Sequence, residues 1–241
     1  MPALTSQHDP AGTPPRSATS PDFSTLALEL HAEPGTERTV QRIVESAAHA
    51  VSCDDAGVML VAGRRRSMSF VTTSDDVRRA HELQVELDEG PCLDALDDTV
   101  GEYLVVDARE ESRWPRWTPA VVELGYQSVL SVRLATTTHR YGSLNLYARR
   151  AGHFDEDDLA VATIFARHAS VALAAADTTE NLARAVDARK LIGMAMGILM
   201  ERFSLEQDPA FEVLRRYSQH HNVKLRDVAR MLVEGGELPE A

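Results

Sequence analysis

The sequence contains few cysteines and few aromatic residues. Its two cysteines, Cys53 and Cys92, cannot form a disulfide framework and suit a reducing cytosol. Aromatic residues make up 5% of the chain, which argues against a sheet surface that stacks on RNA bases. No charged start followed by an apolar stretch marks a signal peptide, and no apolar run approaches the roughly 20 residues of a membrane span. We therefore expect a cytoplasmic protein without a membrane contact.

Sequence signatures of catalysis and metal binding are also missing. The sequence has no phosphate-binding P-loop, no nucleophile elbow and no H-E-x-x-H zinc motif. Four consecutive acids at 155–158 stand at a helix start, where carboxylates cap free backbone N–H groups. His220 and His221 are adjacent, so on a helix they point about 100° apart and do not converge on a metal. We predict a protein that is not an enzyme and that holds no cofactor and no metal.

Negative charge dominates the chain, with one basic exception near the C-terminal end. The 37 Asp and Glu exceed the 25 Lys and Arg, for a formal net charge of −12. Residues 182–230, however, carry nine Lys and Arg against six Asp and Glu, a net of +3. Because phosphate neutralisation supplies most nucleic-acid affinity, this segment permits nucleic-acid binding. An ordinary solvated helical surface would show the same charge.

The longest apolar run, Leu191 to Met200, contains two glycines, Gly193 and Gly197. Each glycine inside a helix costs roughly 1 kcal/mol relative to alanine, so another backbone should lie close to it. The run is apolar on every face, which predicts a buried helix. We expect Gly193 and Gly197 to let two following helices pack tightly onto this one.

Two more helices follow the run. Asp208-Pro209 predicts an N-cap and the first helical position of one. Apolar residues at i, i+3, i+4 and i+7 predict the other, which Gly235-Gly236 ends; they are Leu225, Val228, Ala229 and Leu232. These features predict an all-α three-helix bundle over residues 189–236, followed by an acidic tail at 237–241.

This segment resembles the ANTAR domain pattern along its whole length. The resemblance is carried by Arg189, Ile192-Gly193, Ala195, Gly197 to Met200, Ala210-Phe211, Leu214-Arg215, Ser218, Lys224-Leu225 and Val228-Ala229. It implies a small helical module that binds RNA stem-loops in transcription antitermination. Met196 departs from the pattern, because that position is often basic in the family.

Seven basic side chains are the candidate RNA-binding residues of the bundle. They are Arg189, Lys190, Arg215, Arg216, Lys224, Arg226 and Arg230. Such side chains bind phosphates, and guanidinium planes can stack on bases that leave a hairpin loop. The alternative is that Arg226 and Arg230 form local ion pairs with Asp227.

The N-terminal part divides into an arm and a larger domain. Residues 1–22 are rich in Pro, Ser, Thr and Ala, which predicts a disordered arm. Residues 23–176 alternate helical segments with antiparallel hairpins, which predicts an α+β domain. This domain is similar to a GAF domain at Gly90-Pro91-Cys92, Val105-Val106-Asp107, Trp114-Pro115, Ser128 to Val132 and Gly142 to Leu146. The resemblance implies an antiparallel sheet flanked by helices, acting as a sensor for a small-molecule effector whose binding residues remain unknown.

Cys92 deserves separate interpretation, since some GAF domains attach a tetrapyrrole to a cysteine. Glu89 and Asp94 flank it without a neighbouring cation, and negative charges disfavour a thiolate. We therefore interpret Cys92 as a packed cysteine rather than a reactive thiol or an attachment point.

The two domains are joined by a segment without helix breakers. No Pro or Gly lies between Gly152 and Gly193, so residues 177–188 are predicted to form a helical linker. Leu182, Val186, Arg189 and Gly193 follow a heptad-like spacing that could pair two chains. We predict a homodimer through this helix.

Together these patterns predict a GAF-ANTAR transcription regulator that couples signal transduction to RNA binding. Two alternatives remain open: a DNA-binding helix-turn-helix regulator formed by the last two helices, or a protein–protein signalling module with a merely solvated basic face.

Overall fold

The computed structural model describes residues 23–62, 67–97 and 100–235. The predicted arm at 1–22, the acidic tail at 237–241 and Gly236 lie outside these ranges. The described chain has ten elements before its last three helices: α1 Phe23–Ala32, α2 Thr36–Ala50, β1 Asp55–Ala62, β2 Ser67–Thr72, α3 Asp75–Leu87, α4 Pro91–Asp97, β3 Glu102–Val105, α5 Trp117–Glu123, β4 Ser128–Ala135 and β5 Arg140–Ala148. The last three are α6 Glu156–Phe203, α7 Gln207–His221 and α8 Leu225–Gly235.

The five strands form one antiparallel sheet in the order β2-β1-β5-β4-β3. Because side chains alternate across a strand, Val129 and Leu130 of β4 point to opposite faces. Leu130 joins a core with residues of α1, α2 and α6, whereas Val129 joins a core with α3 and α5 around Trp117. Helices therefore cover both faces of the sheet, and the predicted α+β class is confirmed.

Helix α6 is continuous over 48 residues, about 70 Å at 1.5 Å per residue. The Asp155 carboxylate accepts hydrogen bonds from the backbone N–H groups of Asp157 and Asp158, and the Asp155 N–H donates to the Asp158 carboxylate, which completes a capping box. The predicted capping role of these acids is confirmed. No proline or glycine interrupts the helix before Gly193, so it runs from the sheet domain into the C-terminal bundle without a break.

By length and composition alone, α6 could cross a membrane, and it is the one helix in the described ranges that meets those two criteria. In the fold its Phe165, Ala169 and Leu173 are buried in the core beneath the sheet. We attribute the high apolar content of α6 to this packing.

The C-terminal bundle places α7 and α8 against the last part of α6. Helix α7 begins at Gln207 with Glu206 as its N-cap, so the predicted N-cap at Asp208 is wrong by two residues. Pro209 still lies in the first turn, where a missing N–H breaks no helical hydrogen bond. Helix α8 ends at Gly235, close to the predicted position.

The prediction that the apolar run is buried on every face is wrong. Only Ala195 and Leu199 of this run are fully buried, whereas Gly193, Met194 and Gly197 are exposed. A Cβ added at Gly193 or Gly197 would meet nothing within 4 Å, so neither glycine admits α7 or α8. The physical reason is that both helices pack on the side of α6 that carries Ala195 and Leu199, four residues apart. Within the described ranges, the opposite side of this part of α6, with Gly193 and Gly197, is exposed.

Candidate functional site

The seven predicted RNA-binding side chains are distributed over three packed helices. Arg189 and Lys190 are exposed on α6, and Arg215 and Arg216 are exposed on α7. Lys224 stands just before α8, which carries Arg226 and Arg230. All of these side chains except the half-buried Arg226 are exposed to solvent, as a phosphate-binding role requires.

Three of the seven form ion pairs within the chain, and these three share two carboxylates. Arg215 Nη2 lies 2.7 Å from Glu212 Oε1, and this hydrogen-bonded guanidinium lowers the pKa of the Glu212 carboxyl. Arg226 Nε and Arg230 Nη1 lie 3.1 and 3.6 Å from the same oxygen of Asp227, Oδ1. The alternative of local ion pairs is therefore realised at Asp227. Because such exposed pairs contribute about 0–1 kcal/mol, an incoming phosphate can compete with the carboxylates.

The other four basic side chains carry uncompensated charge. Across the described ranges, no ion pair engages Arg189, Lys190, Arg216 or Lys224. Met196, at the position that is often basic in the resembled family, is half-buried against the bundle core. The exposed positive charges of the bundle therefore lie at other positions than 196.

In the sheet domain, Cys92 is fully buried and hydrogen-bonded. Its backbone N–H donates to Gln84 Oε1 at 2.9 Å, and Gln84 Nε2 lies 2.7 Å from Cys92 Sγ. Burial raises the pKa of the thiol to about 11, so it stays protonated at neutral pH. The prediction of a packed cysteine is confirmed.

A buried polar cluster beside Cys92 was not predicted from the sequence. His81 of α3 lies between the rings of Phe70 and Tyr147, with centroids 5.5 and 5.9 Å away. Neither of its ring nitrogens has a hydrogen-bond partner, and burial lowers its pKa to about 3. The Oδ1 atom of Asn145 is likewise buried without a partner.

These atoms lie under a polar face of the sheet. Ser131 of β4 and Asn145 of β5 are register partners, and both are buried although they stand in apolar strands. Their alternation with apolar neighbours was the available signal for this cluster. A neutral imidazole offers one donor and one acceptor, so His81 and Asn145 leave hydrogen-bonding capacity unused inside this core.

A cavity of about 840 Å³ opens at one end of the sheet. Its lining includes Thr36 of α2, Leu60 of β1, Tyr141 of β5 and Asp177 of α6. The volume lies within the usual range for small-molecule sites. This cavity lies where α6 leaves the sheet domain.

One contact ties α6 to the start of α2. The Thr36 N–H donates a hydrogen bond of 2.6 Å to Glu180 Oε1, across 144 residues of sequence. The N-cap residue Gly35 supplies no side-chain cap of its own, and a Cβ at Gly35 would lie 2.7 Å from the same oxygen. Glu180 therefore satisfies one of the free N–H groups at the start of α2, where Gly35 has no side chain to contribute.

Among the described residues, no group of three or more His, Cys, Asp or Glu side chains is placed to hold a metal ion. His220 is exposed at the end of α7, and His221 stacks on Tyr217 with ring centroids 4.1 Å apart. The interpretation of the two histidines as a helix end is confirmed.

Comparison with protein families agrees with this geometry. The model of the GAF domain matches residues 34–174, and the model of the ANTAR domain matches residues 180–233. The sheet domain with its terminal helices therefore belongs to a class of sensory domains, and the helical bundle that follows it belongs to a class of regulatory domains. The chain belongs to the GAF family, in the GAF-ANTAR arrangement that the sequence predicted.

Solved structures support the fold. The GAF domain of a phosphoenolpyruvate-protein phosphotransferase from Coxiella burnetii has a TM-score of 0.53 at 17% identity, and the match covers 66% of this chain and 94% of that one. A bacteriophytochrome from R. palustris has a TM-score of 0.52 at 9% sequence identity, and the match covers 73% of this chain and 41% of that one. The phytochrome photosensory core module of Stigmatella aurantiaca has a TM-score of 0.51 at 11% sequence identity, and the match covers 80% of this chain and 44% of that one. No curated protein matches the sequence.

Proposed function

We propose that this protein is a transcription regulator whose ANTAR domain binds stem-loops in nascent mRNA and prevents terminator formation, under the control of its GAF domain. The observation that carries this proposal is the uncompensated positive charge of Arg189, Lys190, Arg216 and Lys224 on the bundle of an otherwise acidic chain. Phosphate contacts position a protein on RNA, while unpaired loop bases provide specificity.

The test is a binding titration of RNA hairpins and duplex DNA across a salt series. Each lost phosphate contact lowers the slope of log K against log salt by somewhat less than one. We expect hairpin binding, and a smaller slope in the variant that carries Arg189→Ala, Lys190→Ala, Arg216→Ala and Lys224→Ala. Arg150→Ala, an exposed arginine of the GAF domain, is the matched control and should leave the slope unchanged.

Each contrary outcome identifies one alternative. Binding of duplex DNA alone would support the helix-turn-helix alternative and would refute the RNA proposal. Absence of any nucleic-acid binding, with regulation intact in cells after charge removal, would support the protein–protein module instead.

The GAF domain in this proposal senses a small molecule. The support is the pair of unpaired buried groups, His81 and Asn145 Oδ1, on the inner face of the sheet. A ligand that pairs both groups would remove two unsatisfied polar groups, each of which costs about 1–3 kcal/mol. Thermal-shift screening of small polar metabolites should find a stabilising ligand for the wild type that has no effect on Asn145→Ala.

We further propose that the protein acts in the cytoplasm as a homodimer that pairs through the linker helix, away from any membrane. The support is the exposed apolar pair Leu182 and Val186, which are 66% and 56% exposed. Exposed aliphatic side chains in succession on one helix are typical of a helix–helix contact.

A further inference from the structure

The cavity at the end of the sheet is separate from the buried polar cluster around His81. Its wall includes Leu60 of β1 and Ser69 of β2, which are register partners and therefore share one face of the sheet. Leu60 packs against the core that contains residues of α1, α2 and α6. His81 lies on the other face, where it contacts the ring of Phe70. The cavity therefore adjoins α2 and α6 rather than the cluster.

A β-bulge brings Tyr141 to the cavity wall. Leu134 of β4 pairs with Gly142, and Ala135 pairs with Arg140, which leaves Tyr141 of β5 without a partner on β4. Such a bulge redirects a side chain out of the regular alternation of the strand. Tyr141 accordingly packs against the core on the α6 side of the sheet. The bulge thus supplies the cavity with an aromatic ring and a hydroxyl group.

The side chain of Asp177 on α6 gives the cavity a negative charge. Asp177 is half-buried at the cavity wall, and within the described ranges its carboxylate forms no ion pair. Burial raises the pKa of the Tyr141 hydroxyl, and the charge of Asp177 raises it further, so the two groups lie near each other. A half-buried carboxylate without a partner is costly, and a bound cation would supply the missing counter-charge.

Thr36, the first residue of α2, adds a hydrogen-bond acceptor to the same wall. Its N–H donates to Glu180, whereas its Oγ1 atom is buried without a partner. Asp177 and Glu180 are three residues apart, so they are neighbours on one side of α6. A molecule that engages both Thr36 Oγ1 and Asp177 would therefore add a second connection between α2 and α6.

The charges around the cavity favour a cation over an anion. Two carboxylates, those of Asp97 and Asp177, line the cavity, and its basic groups are the Arg140 guanidinium and the His139 imidazole. Arg140 Nη1 already donates a hydrogen bond of 2.7 Å to the carbonyl oxygen of Leu96. Much of the remaining wall is aliphatic or aromatic, and a cation is attracted to the face of an aromatic ring. An ammonium group on an apolar body matches this lining.

From these observations we infer that the cavity is a binding site for a small organic ammonium compound, whose charged nitrogen contacts Asp177 and Thr36 Oγ1 and whose apolar body lies against Tyr141. An occupied site holds the start of α2 on α6 at the point where α6 leaves the GAF domain. The site is distinct from the small-molecule site proposed at the buried polar cluster, and the inference does not depend on RNA binding.

The first test compares three probes of similar size by titration calorimetry on the full chain. Phenethylamine is the cation, phenethyl alcohol the neutral analogue and phenylpropionate the anion. We expect the amine to bind at least about tenfold more tightly than the other two, as a hydrogen bond to a charged group implies. Equal affinity for the alcohol, or no saturable binding of either phenethylamine or the aliphatic butylamine, would overturn the inference.

The second test uses variants of the cavity wall. Asp177→Asn should weaken phenethylamine binding at least about tenfold, and Thr36→Val should weaken it several-fold. Asp187→Asn, at an exposed acid of the same helix, should bind as the wild type. Ser69 is exposed, so Ser69→Trp can fill the cavity without entering the core; it should block binding, whereas Val106→Trp, at another exposed position, should not. Undiminished binding in Asp177→Asn and Ser69→Trp would refute the site.

Hydrogen exchange tests the connection between the site and the two helices. Saturating phenethylamine should slow exchange several-fold at the first amides of α2 in the wild type, and should leave Asp177→Asn unchanged. Unaltered exchange in the wild type with the amine bound would show that the compound does not join α2 to α6.

Asn145→Ala separates this site from the buried polar cluster. We expect this variant to bind phenethylamine as the wild type does. If Asn145→Ala loses the amine while Asp177→Asn keeps it, the compound occupies the cluster: the inference is then wrong and the sensing proposal stands. If the amine binds through Asp177 and no metabolite acts through Asn145, the inference stands and the proposal for the cluster fails.

Discussion

At the residue scale, Gly193 and Gly197 have low helix propensity, and no packing contact inside the described chain explains why they are glycines. Gly193 and Gly197 weaken α6 locally, yet no atom outside the helix lies within 4 Å of the position of either added Cβ. Inside one chain, therefore, nothing offsets the cost of roughly 1 kcal/mol per glycine. The expectation that a neighbouring backbone offsets this cost is therefore not met within the described part of the chain.

Gly197→Ala separates the two explanations of the glycines. In dilute protein, below the dimer dissociation constant, we expect the variant to be more stable to urea by about 1 kcal/mol. At high concentration its dimer should be weaker, because a methyl group then blocks the approach of the second helix. Ala183→Gly is the opposite control on the same helix and should destabilise without weakening the dimer. A destabilised Gly197→Ala monomer would show that the glycine serves packing within the bundle.

His81 gives the stability of the GAF domain a defined pH dependence. Burial lowers the pKa of the folded-state imidazole to about 3, well below its ordinary value of 6.5. The unfolded chain therefore binds the proton first as pH falls. The contribution is fully present above the ordinary pKa and is lost as pH falls from there toward about 3.

The corresponding measurement is the free energy of unfolding from pH 7 to pH 4. A single proton taken up only by the unfolded state lowers it by about 1.4 kcal/mol per pH unit. We expect His81→Phe to remove this dependence, while His31→Phe, at an exposed position of α1, keeps it. An identical pH slope in wild type and His81→Phe would contradict the buried, neutral histidine.

At the scale of elements, α6 decides how the two domains are connected. The absence of proline and glycine from 153 to 192 predicted its continuity, and the capping acids predicted its start. The sequence could not reveal which side of the helix stays open, because that depends on where α7 and α8 pack. The prediction of burial used apolar composition alone. Composition does not distinguish the side of a helix that packs in a core from an apolar side that stays exposed.

Contacts that span long sequence distances were beyond prediction for the same reason. Glu180 accepts a hydrogen bond from the start of α2 across 144 residues of sequence. Asp177 and Thr36, the first residue of α2, line the same cavity. The buried cluster around His81 combines α3 with β5, so its chemistry appears only when the sheet is assembled. Local patterns, by contrast, predicted the alternation of helices and antiparallel hairpins in the sheet domain and the helices of the bundle.

Glu180→Ala tests the connection between α6 and the GAF domain. Loss of the carboxylate leaves the Thr36 N–H without its acceptor, and loss of a cap costs about 1 kcal/mol. We expect faster hydrogen exchange at the first amides of α2. Glu180→Gln, which keeps an acceptor oxygen, should restore most of the protection, and Glu201→Ala, near the far end of α6, should change nothing there. Unchanged exchange at Thr36 in Glu180→Ala would exclude the capping role.

At the scale of the whole molecule, the acidic domain and the basic domain lie at the two ends of one helix, α6. The acidic GAF domain packs on one side of the N-terminal half of α6, and α7 and α8 of the basic ANTAR bundle pack on one side of its C-terminal end. In the proposed homodimer, the helix between them would transmit a shift at the GAF domain to the spacing of the two bundles, as a change in the population of paired states. On this proposal, we expect RNA with two suitably spaced stem-loops to bind the paired state best.

The most direct test of this account is sequencing of the RNA that copurifies with the full chain after crosslinking in cells. The comparison is the variant in which Arg189, Lys190, Arg216 and Lys224 are replaced by alanine. We predict enrichment of transcript segments that contain stem-loops next to terminators for the wild type, and loss of this enrichment for the variant. Equal RNA recovery from both proteins, with no shared stem-loop in the wild-type sample, would contradict the central claim.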